Sequence, residues 1–271
     1  MNESRSKGVG QVETRPPAAA GTQTLLRGLD LIEAVVDRPS TLMELSDRLG
    51  LNRSTVHRLA SSLVDRGYLR LNPGEGYALG TKLLELGFAA RGRIDIARVA
   101  RPHLELLSDA TGDAVHLGIL DGEKALYLDK LAGRRRIEIG SRVGERHPLC
   151  HTGLGKSLLL DRSPTQWRQL FEQERNDGKA GVEYEEWRSR MDDYAEGGYS
   201  FDLEENEDRI RCVGAPIRDG TDSIVAAISV SSVSQYMSHD RMHELIGVVK
   251  QSAESISREL GWTPRAGRSR S

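Results

Sequence analysis

The sequence predicts an α+β chain in two parts: three short helices and a β-hairpin, then an antiparallel sheet with helices packed on it. Three observations predict it. Apolar residues recur at helical spacing three times before Gly67. A period-2 stretch then surrounds the Pro/Gly turn Asn72–Gly76. From about residue 113, strand-like segments alternate with helical ones and join through turns such as Asp121-Gly122. That order favours an α+β sheet over a doubly wound one. The 271 residues suffice for one or two domains, and with aromatics at 5% the core must be mainly Leu, Ile, Val and Ala.

In the first helix Leu25, Leu29, Ile32 and Val36 share a stripe, with Leu26 beside them, and Pro39 stops it. Thr41-Leu-Met-Glu44 fits a capping box and opens the second helix, whose apolar residues are Leu42, Leu45 and Leu49. Gly50 fits its left-handed cap. A third helix carries Val56, Leu59, Leu63 and Val64 inward and ends at Gly67. The hairpin follows, then a helix over about 81–91 and a boundary around 88–95. Beyond it the pattern predicts strands at 113–120, 123–131, 136–140, 209–217 and 223–232, and helices at 95–111, 153–161, 164–175, 183–196 and 239–260. Residues 1–21 and 263–271 read as a disordered arm and tail.

No stretch approaches the roughly 18 apolar residues of a membrane span, and the N-terminus has no apolar signal region. Cys150 and Cys212 make neither a disulfide framework nor a closed zinc site, which suits a reducing cytoplasm. The net charge of −2 hides a split. Residues 93–262 hold 23 basic against 30 acidic residues, whereas 22–92 hold 9 against 8, and the tail carries three Arg and no acid. Nucleic acid is therefore not excluded as a partner.

Three helices and a hairpin within about 65 residues give the layout of a winged helix-turn-helix. The short turn Gly50-Leu51-Asn52 sets two helices at a steep angle, so that the second can enter a major groove. Its start, from Asn52 to Arg58, has what groove entry needs. Its amides and the hydroxyls of Ser54 and Thr55 can bind phosphate, and Arg53, Thr55, His57 and Arg58 can reach base edges or backbone. The hairpin tip can track adjacent backbone, although Glu75 would not help there.

In the second part, Gly155-Lys156-Ser157 invites a phosphate-loop reading, but that pattern needs Gly where Cys150 stands. A helix opening at Thr152-Gly153-Leu154-Gly155 does present free amides suited to a small carboxylate, or is simply a capped structural helix. His147, Cys150 and His151 crowd into five residues, which favours structure over metal. His239 and His243 stand i, i+4 without the Glu of a zinc peptidase, which favours a solvated face. Ser229 and Ser231 share one face of an apolar strand, where they bind either local backbone or a polar ligand. The acidic run Asp202–Asp208 reads as a solvated loop whose first member could face inward.

These segments resemble the IclR-type bacterial transcription regulators over about Thr22–Trp262. Leu51-Asn-Arg-Ser-Thr-Val-His-Arg-Leu is similar to the family's recognition helix. Gly144-Glu-Arg-His-Pro-Leu with Thr152-Gly-Leu-Gly-Lys-Ser is similar to its central loop and helix. The late strands match through Arg211-Cys-Val-Gly-Ala-Pro and Ala227-Ile-Ser-Val-Ser, and the likeness is greatest to the sugar-acid-sensing branch. The resemblance implies a winged-helix DNA-binding domain (22–80), a linker helix (81–94) and an effector-binding domain with a GAF-like sheet (95–262). It implies a homodimer or dimer of dimers on double-stranded operator DNA, and no catalytic residue, cofactor or metal. By matching positions, the effector pocket would combine the amides of Gly153 and Leu154 with Asp202, Cys212, Ser229 and Ser231. Two rivals remain: an enzyme using Cys212 or a His-based metal site, and a DNA-binding scaffold that takes no ligand.

Overall fold

A computed structural model describes residues 22–91, 95–135, 139–176 and 182–264. The expectations for the arm 1–21, for the strand at 136–140 and for most of the tail fall largely outside the described residues. Contacts divide the chain into two units, 1–93 and 94–271.

The first unit runs α1 (Gln23–Glu33), α2 (Leu42–Leu49), α3 (Arg53–Asp65), β1 (Leu69–Asn72), β2 (Gly76–Leu79) and α4 (Thr81–Arg91). Both halves of the Thr41–Glu44 capping box form, which fixes the start of α2. Gly50 closes α2 at φ 63°, a left-handed backbone that costs a residue with a Cβ more than it costs glycine. Ser46 Oγ donates to Leu51 O at 2.5 Å and braces the turn. Asn52 then caps α3, its side chain accepting from Thr55 N at 2.8 Å.

Two expectations change here. Helix α1 ends at Glu33 rather than at Pro39. The amides of Val35 and Val36 bond three residues back, and Ser40 pairs with Tyr77 beside the hairpin. The chain must be extended there to reach the hairpin, and Pro39 already disfavours a helical Arg38. In addition, α1 buries Leu31, and Val35 just beyond it is buried too, while Leu25, Leu29 and Val36 of the anticipated stripe stand exposed. The core closes from Leu31, Leu45, Val56, Leu59, Leu69 and Tyr77.

The second unit runs α5 (Ile96–Thr111), β3 (Ala114–Asp121), β4 (Lys124–Leu131), β5 (Arg146–His147), α6 (Gly153–Leu158), α7 (Pro164–Asn176), α8 (Tyr184–Gly197), β6 (Ser200–Leu203), β7 (Ile210–Arg218), β8 (Ile224–Val233) and α9 (His239–Glu259). The strands form one antiparallel sheet in the order β5-β4-β3-β8-β7-β6. Among the described residues every strand pair is antiparallel, in line with the short turn-linked strands. Two strands were not anticipated: β5 is only two residues long, and β6 opens the acidic run that read as a loop.

Directly opposed residues of an antiparallel pair point to the same face. Val115, Leu117, Val213, Ala215, Ile228 and Val230 therefore share one face, which α5 and α9 cover. The opposite face carries His116, Ser229, Ser231, Cys212 and Asp202, and α6 lies against it. Two glycines let α6 come this close. A Cβ on Gly214 would stand 2.6 Å from Gly153 O, and one on Gly118 would stand 2.9 Å from a Leu154 methyl.

Candidate functional site

In the first unit, α3 presents Asn52, Arg53, Ser54, His57 and Arg58 to solvent, with Thr55 half-buried. Residues 53 and 57, and 54 and 58, are one turn apart, so they share a face. Among the described residues neither Arg53 nor Arg58 is paired with a carboxylate, unlike Arg38, which pairs with Glu44, and Lys82, which pairs with Glu85. Asn52 is committed to its cap and also accepts from Ser54 Oγ at 2.9 Å. Its role here is to fix the helix start. Glu75 is occupied at the hairpin tip, where Asn72 Nδ2 donates to it at 2.9 Å.

In the second unit, a cavity of about 310 Å³ opens on the α6 face of the sheet. Three of the six residues anticipated for an effector, Asp202, Cys212 and Ser231, line it. Gly153, Leu154 and Ser229 do not; Thr152, beside them, does. Gly153 lies under Cys212, since a Cβ built on it would stand 3.0 Å from the Cys212 Cβ. Ser229 is buried one step along β8, opposite His116 and Gly214. Thr152 caps α6, accepting from Gly155 N at 2.9 Å, and its carbonyl takes Lys156 N. The amides of Gly153 and Leu154 are the remaining two of the first turn.

Asp202 is 1% exposed. Its Oδ1 accepts from Glu205 N at 2.9 Å, and Cys212 Sγ lies 3.8 Å from its Oδ2. Burial pushes the Asp202 carboxyl well above the usual carboxylate range, against the pull of Lys156, the Asn206 amide and the Cys212 thiol. Lys156 is itself buried beneath the site. It donates to Phe201 O at 2.9 Å and forms an ion pair with Glu205, which Arg190 also holds at 3.0 Å. Burial pulls the Lys156 ammonium below its ordinary range. This lysine, whose Gly-Lys-Ser context invites a phosphate-loop reading, faces into the fold instead.

His116 and its neighbours escaped the sequence reading. His116 Nε2 lies 2.8 Å from Ser141 Oγ, and its Nδ1 lies 3.4 Å from Ser231 Oγ. Burial, reinforced by Lys130 and His147, depresses its pKa to about 3, so the ring is neutral. Tyr127 stands between His116 and His147, with ring centroids at 5.1 and 4.3 Å, and completes the wall. Lys130 Nζ donates to Ile139 O and Ser141 O at 2.6 and 2.7 Å, which pins the segment carrying Ser141. The signal that could have found His116 was its parity with Ala114 and Gly118 in the strand. No spacing in the sequence showed that this parity faces Ser231.

The cysteine and histidine alternatives find other uses. Burial pushes the Cys212 thiol up, followed by the charge of Asp202, so a thiolate nucleophile is disfavoured. His151 is buried and bound to Glu174 at 3.0 Å. The same carboxylate takes the amides of Leu149 and Cys150 at 2.6 and 2.9 Å. Burial acts against ionisation of Glu174, but these three partners together outweigh it and lower its pKa. His243 is exposed and packs edge-on against Phe201. Among the described residues no three His, Cys, Asp or Glu side chains gather as metal ligands, and no helix is long and apolar enough to cross a membrane.

Known proteins agree with this division. Residues 24–73 match the IclR helix-turn-helix domain, and residues 88–258 match the family described as bacterial transcriptional regulator IclR C-terminal. The chain is 33% identical over 254 residues to the HTH-type transcriptional regulator XynR of Escherichia coli K12, covering 89% of this chain and 98% of that one. It is 30% identical over 252 residues to KdgR of the same organism, covering 88% and 93%. In fold it is similar to the Agobacterium tumefaciens repressor BlcR, with a TM-score of 0.75 at 23% identity over 91% of this chain and all of that one. A helix-turn-helix at one end and the family's C-terminal domain over most of the rest make the chain a member of the IclR family of bacterial transcriptional regulators, and not an enzyme.

Proposed function

We propose that this regulator controls a catabolic operon by sensing a small carboxylate, a sugar-acid catabolite or a short 2-oxo or 2-hydroxy acid, in the cavity of its second unit. One observation carries the reading. The cavity gathers Asp202, Cys212 and Ser231 beside the start of α6, in the domain that matches the family's C-terminal part. The ligand's carboxylate lies toward the amides of Gly153 and Leu154, at the partly positive end of α6. Ser231 and neutral His116 bond its oxygen substituents, Asp202 accepts from a hydroxyl, and Ser229 supports them from one step behind.

The face of α3 enters the major groove of double-stranded operator DNA. Arg53, His57 and Arg58 make base and phosphate contacts, while Ser54, Thr55 and the helix amides hold backbone. A near-neutral reader binds weakly alone, so a homodimer or a dimer of dimers supplies the affinity. The outward leucines support this: Leu25 and Leu29 on α1 are 64% and 45% exposed, and Leu84 on α4 is 61% exposed, and a second copy of the chain would cover them. Helix α4 joins the two units in sequence and carries the change in spacing. Ligand alters DNA affinity because it binds two arrangements of the oligomer unequally.

The test is a thermal-shift panel of sugar acids, 2-oxo acids and aromatic acids, followed by operator binding with and without the hit. A sugar acid or 2-oxo acid should raise the melting temperature and change DNA affinity. If no small carboxylate stabilises the protein, the chain is a DNA-binding scaffold whose second domain only assembles it.

A further inference from the structure

The cavity's charges are arranged in two tiers. Asp202 lies at the buried end, while Glu145 and Glu207 line the opening and are exposed. Among the described residues no Lys or Arg lines the cavity. Several nearby cations are engaged elsewhere. Lys156 is held by Glu205 and Phe201 O, Arg211 by Glu204 and Met237 O, and Arg146 by Asp121. Lys130 is held by two backbone carbonyls and, among the described residues, by no carboxylate. The His116 ring within the wall is neutral. Behind the wall, then, Lys130 and the first-turn amides of α6 are left to offset one incoming negative charge. A second charge, carried at the far end of the ligand, would meet Glu145, which has His147 at 3.5 Å, and Glu207, which has no ion-pair partner among the described residues. Like charges a few ångströms apart repel, more strongly where water is partly excluded.

We propose that Glu145 and Glu207 form a charge filter that restricts the effector to a single negative charge, admitting monocarboxylates and rejecting dicarboxylates and phosphorylated acids. This rests on the reading of the cavity as the effector site. Both residues tolerate neutralisation. Glu207 is exposed, and Glu145 accepts Arg142 N at 2.8 Å, a bond that glutamine can also accept. The filter is a specificity device: the ligand's binding groups lie deeper, and the rim only decides which relatives of the ligand stay out.

Gluconate, glucarate and 6-phosphogluconate test it, because they share a six-carbon polyol acid and differ at the far carbon in a hydroxyl, a carboxylate and a phosphate. Calorimetric titration of the full chain should show gluconate binding at least tenfold more tightly than either of the others. The Glu145→Gln/Glu207→Gln variant should narrow that gap several-fold, and so should raising the salt, because the rim is exposed. Equal or tighter binding of glucarate or 6-phosphogluconate overturns the filter. So does a gap that the double variant leaves unchanged. If all three are silent while pyruvate binds, a filter on acids of this size is overturned and the carboxylate-sensing reading stands. If pyruvate is silent as well, both fall.

Discussion

On α3 the side chains offered for recognition, Arg53, Ser54, His57 and Arg58, stand in solvent, whereas in the second unit Asp202, His116, Ser231 and Lys156 are each at least 97% enclosed. The difference follows from the ligands. A DNA duplex is larger than the domain that reads it, so the reading groups must project. A small acid must be surrounded, so its contacts are drawn from several strands and satisfy one another until it arrives. Polar groups on α3 should therefore matter to binding and little to folding, while those around the cavity should matter to both.

The largest effect that could break this contrast is at Lys156. Its ammonium lies between Phe201 O and Glu205, with Asp202 nearby. Lys156→Met leaves buried carboxylates without it, and breaking a buried pair costs about 3–5 kcal/mol. Urea denaturation of the full chain should show that loss in the transition of the second unit. A loss under about 1 kcal/mol would mean that Arg190 alone holds Glu205, and that the buried network is not what supports this face.

The converse prediction concerns the exposed face. Arg53→Ala with Arg58→Ala should weaken operator binding about 100-fold or more in a mobility-shift assay, since each lost phosphate or base contact is repeated in every protomer. The melting temperature should barely move, because exposed substitutions usually fall within about 0.5 kcal/mol. A variant that melts early would show that α3 leans on these arginines structurally.

The same contrast explains what the sequence disclosed. Thr41, Glu44, Gly50 and Asn52 act within four residues of themselves, so their spacing spells out the two helices and the turn between them. Asp202 also faces inward as anticipated, because β6 sets it opposite Cys212 on the cavity face of the sheet. The partnership of His116 with Ser231 spans 115 positions in the chain and exists only through the pairing of β3 with β8. Nothing local encodes it. The burial of Lys156 does have a local signal. Leu154, Leu158, Leu159 and Leu160 surround it, and a segment apolar on all sides offers a lysine no outward face.

A smaller effect sharpens the comparison through pH. Burial, with Lys130 and His147, depresses the folded pKa of His116 from 6.5 to about 3. A depressed folded pKa contributes stability that is complete above the unfolded pKa. That stability is lost as pH falls from about 6.5 toward 3, at up to about 1.4 kcal/mol per pH unit. Asp202 acts in the opposite sense. Its raised folded pKa favours the native state as the carboxyl protonates, so between neutral pH and the unfolded carboxylate range it offsets the His116 loss. The urea midpoint of the second unit should therefore differ little between about pH 7 and pH 5.5, whereas in His116→Gln the Asp202 gain is unopposed and the midpoint should rise at about pH 5.5. A variant whose midpoint does not rise relative to the parent would assign the balance to other groups.

The smallest effect compares one chemical device in both settings. Thr41 and Thr152 each cap a helix with a hydroxyl, Thr41 accepting from Glu44 N at 3.3 Å and Thr152 from Gly155 N at 2.9 Å. Thr41 is exposed, so in Thr41→Ala water can replace the hydroxyl and the cost should be about 1 kcal/mol in the first unit. Thr152 is 3% exposed and also donates to Pro148 O at 2.8 Å. Thr152→Ala therefore strands a buried donor and a buried acceptor, and should cost about 2 kcal/mol in the second unit. Because Thr152 lines the cavity, its loss should also weaken effector binding, which Thr41→Ala should leave unchanged. Equal stability costs for the two variants would show that water reaches the start of α6 as freely as it reaches α2. The cavity would then be more open to solvent than its enclosed side chains imply, and the contrast between the two units would lie in the size of their ligands alone.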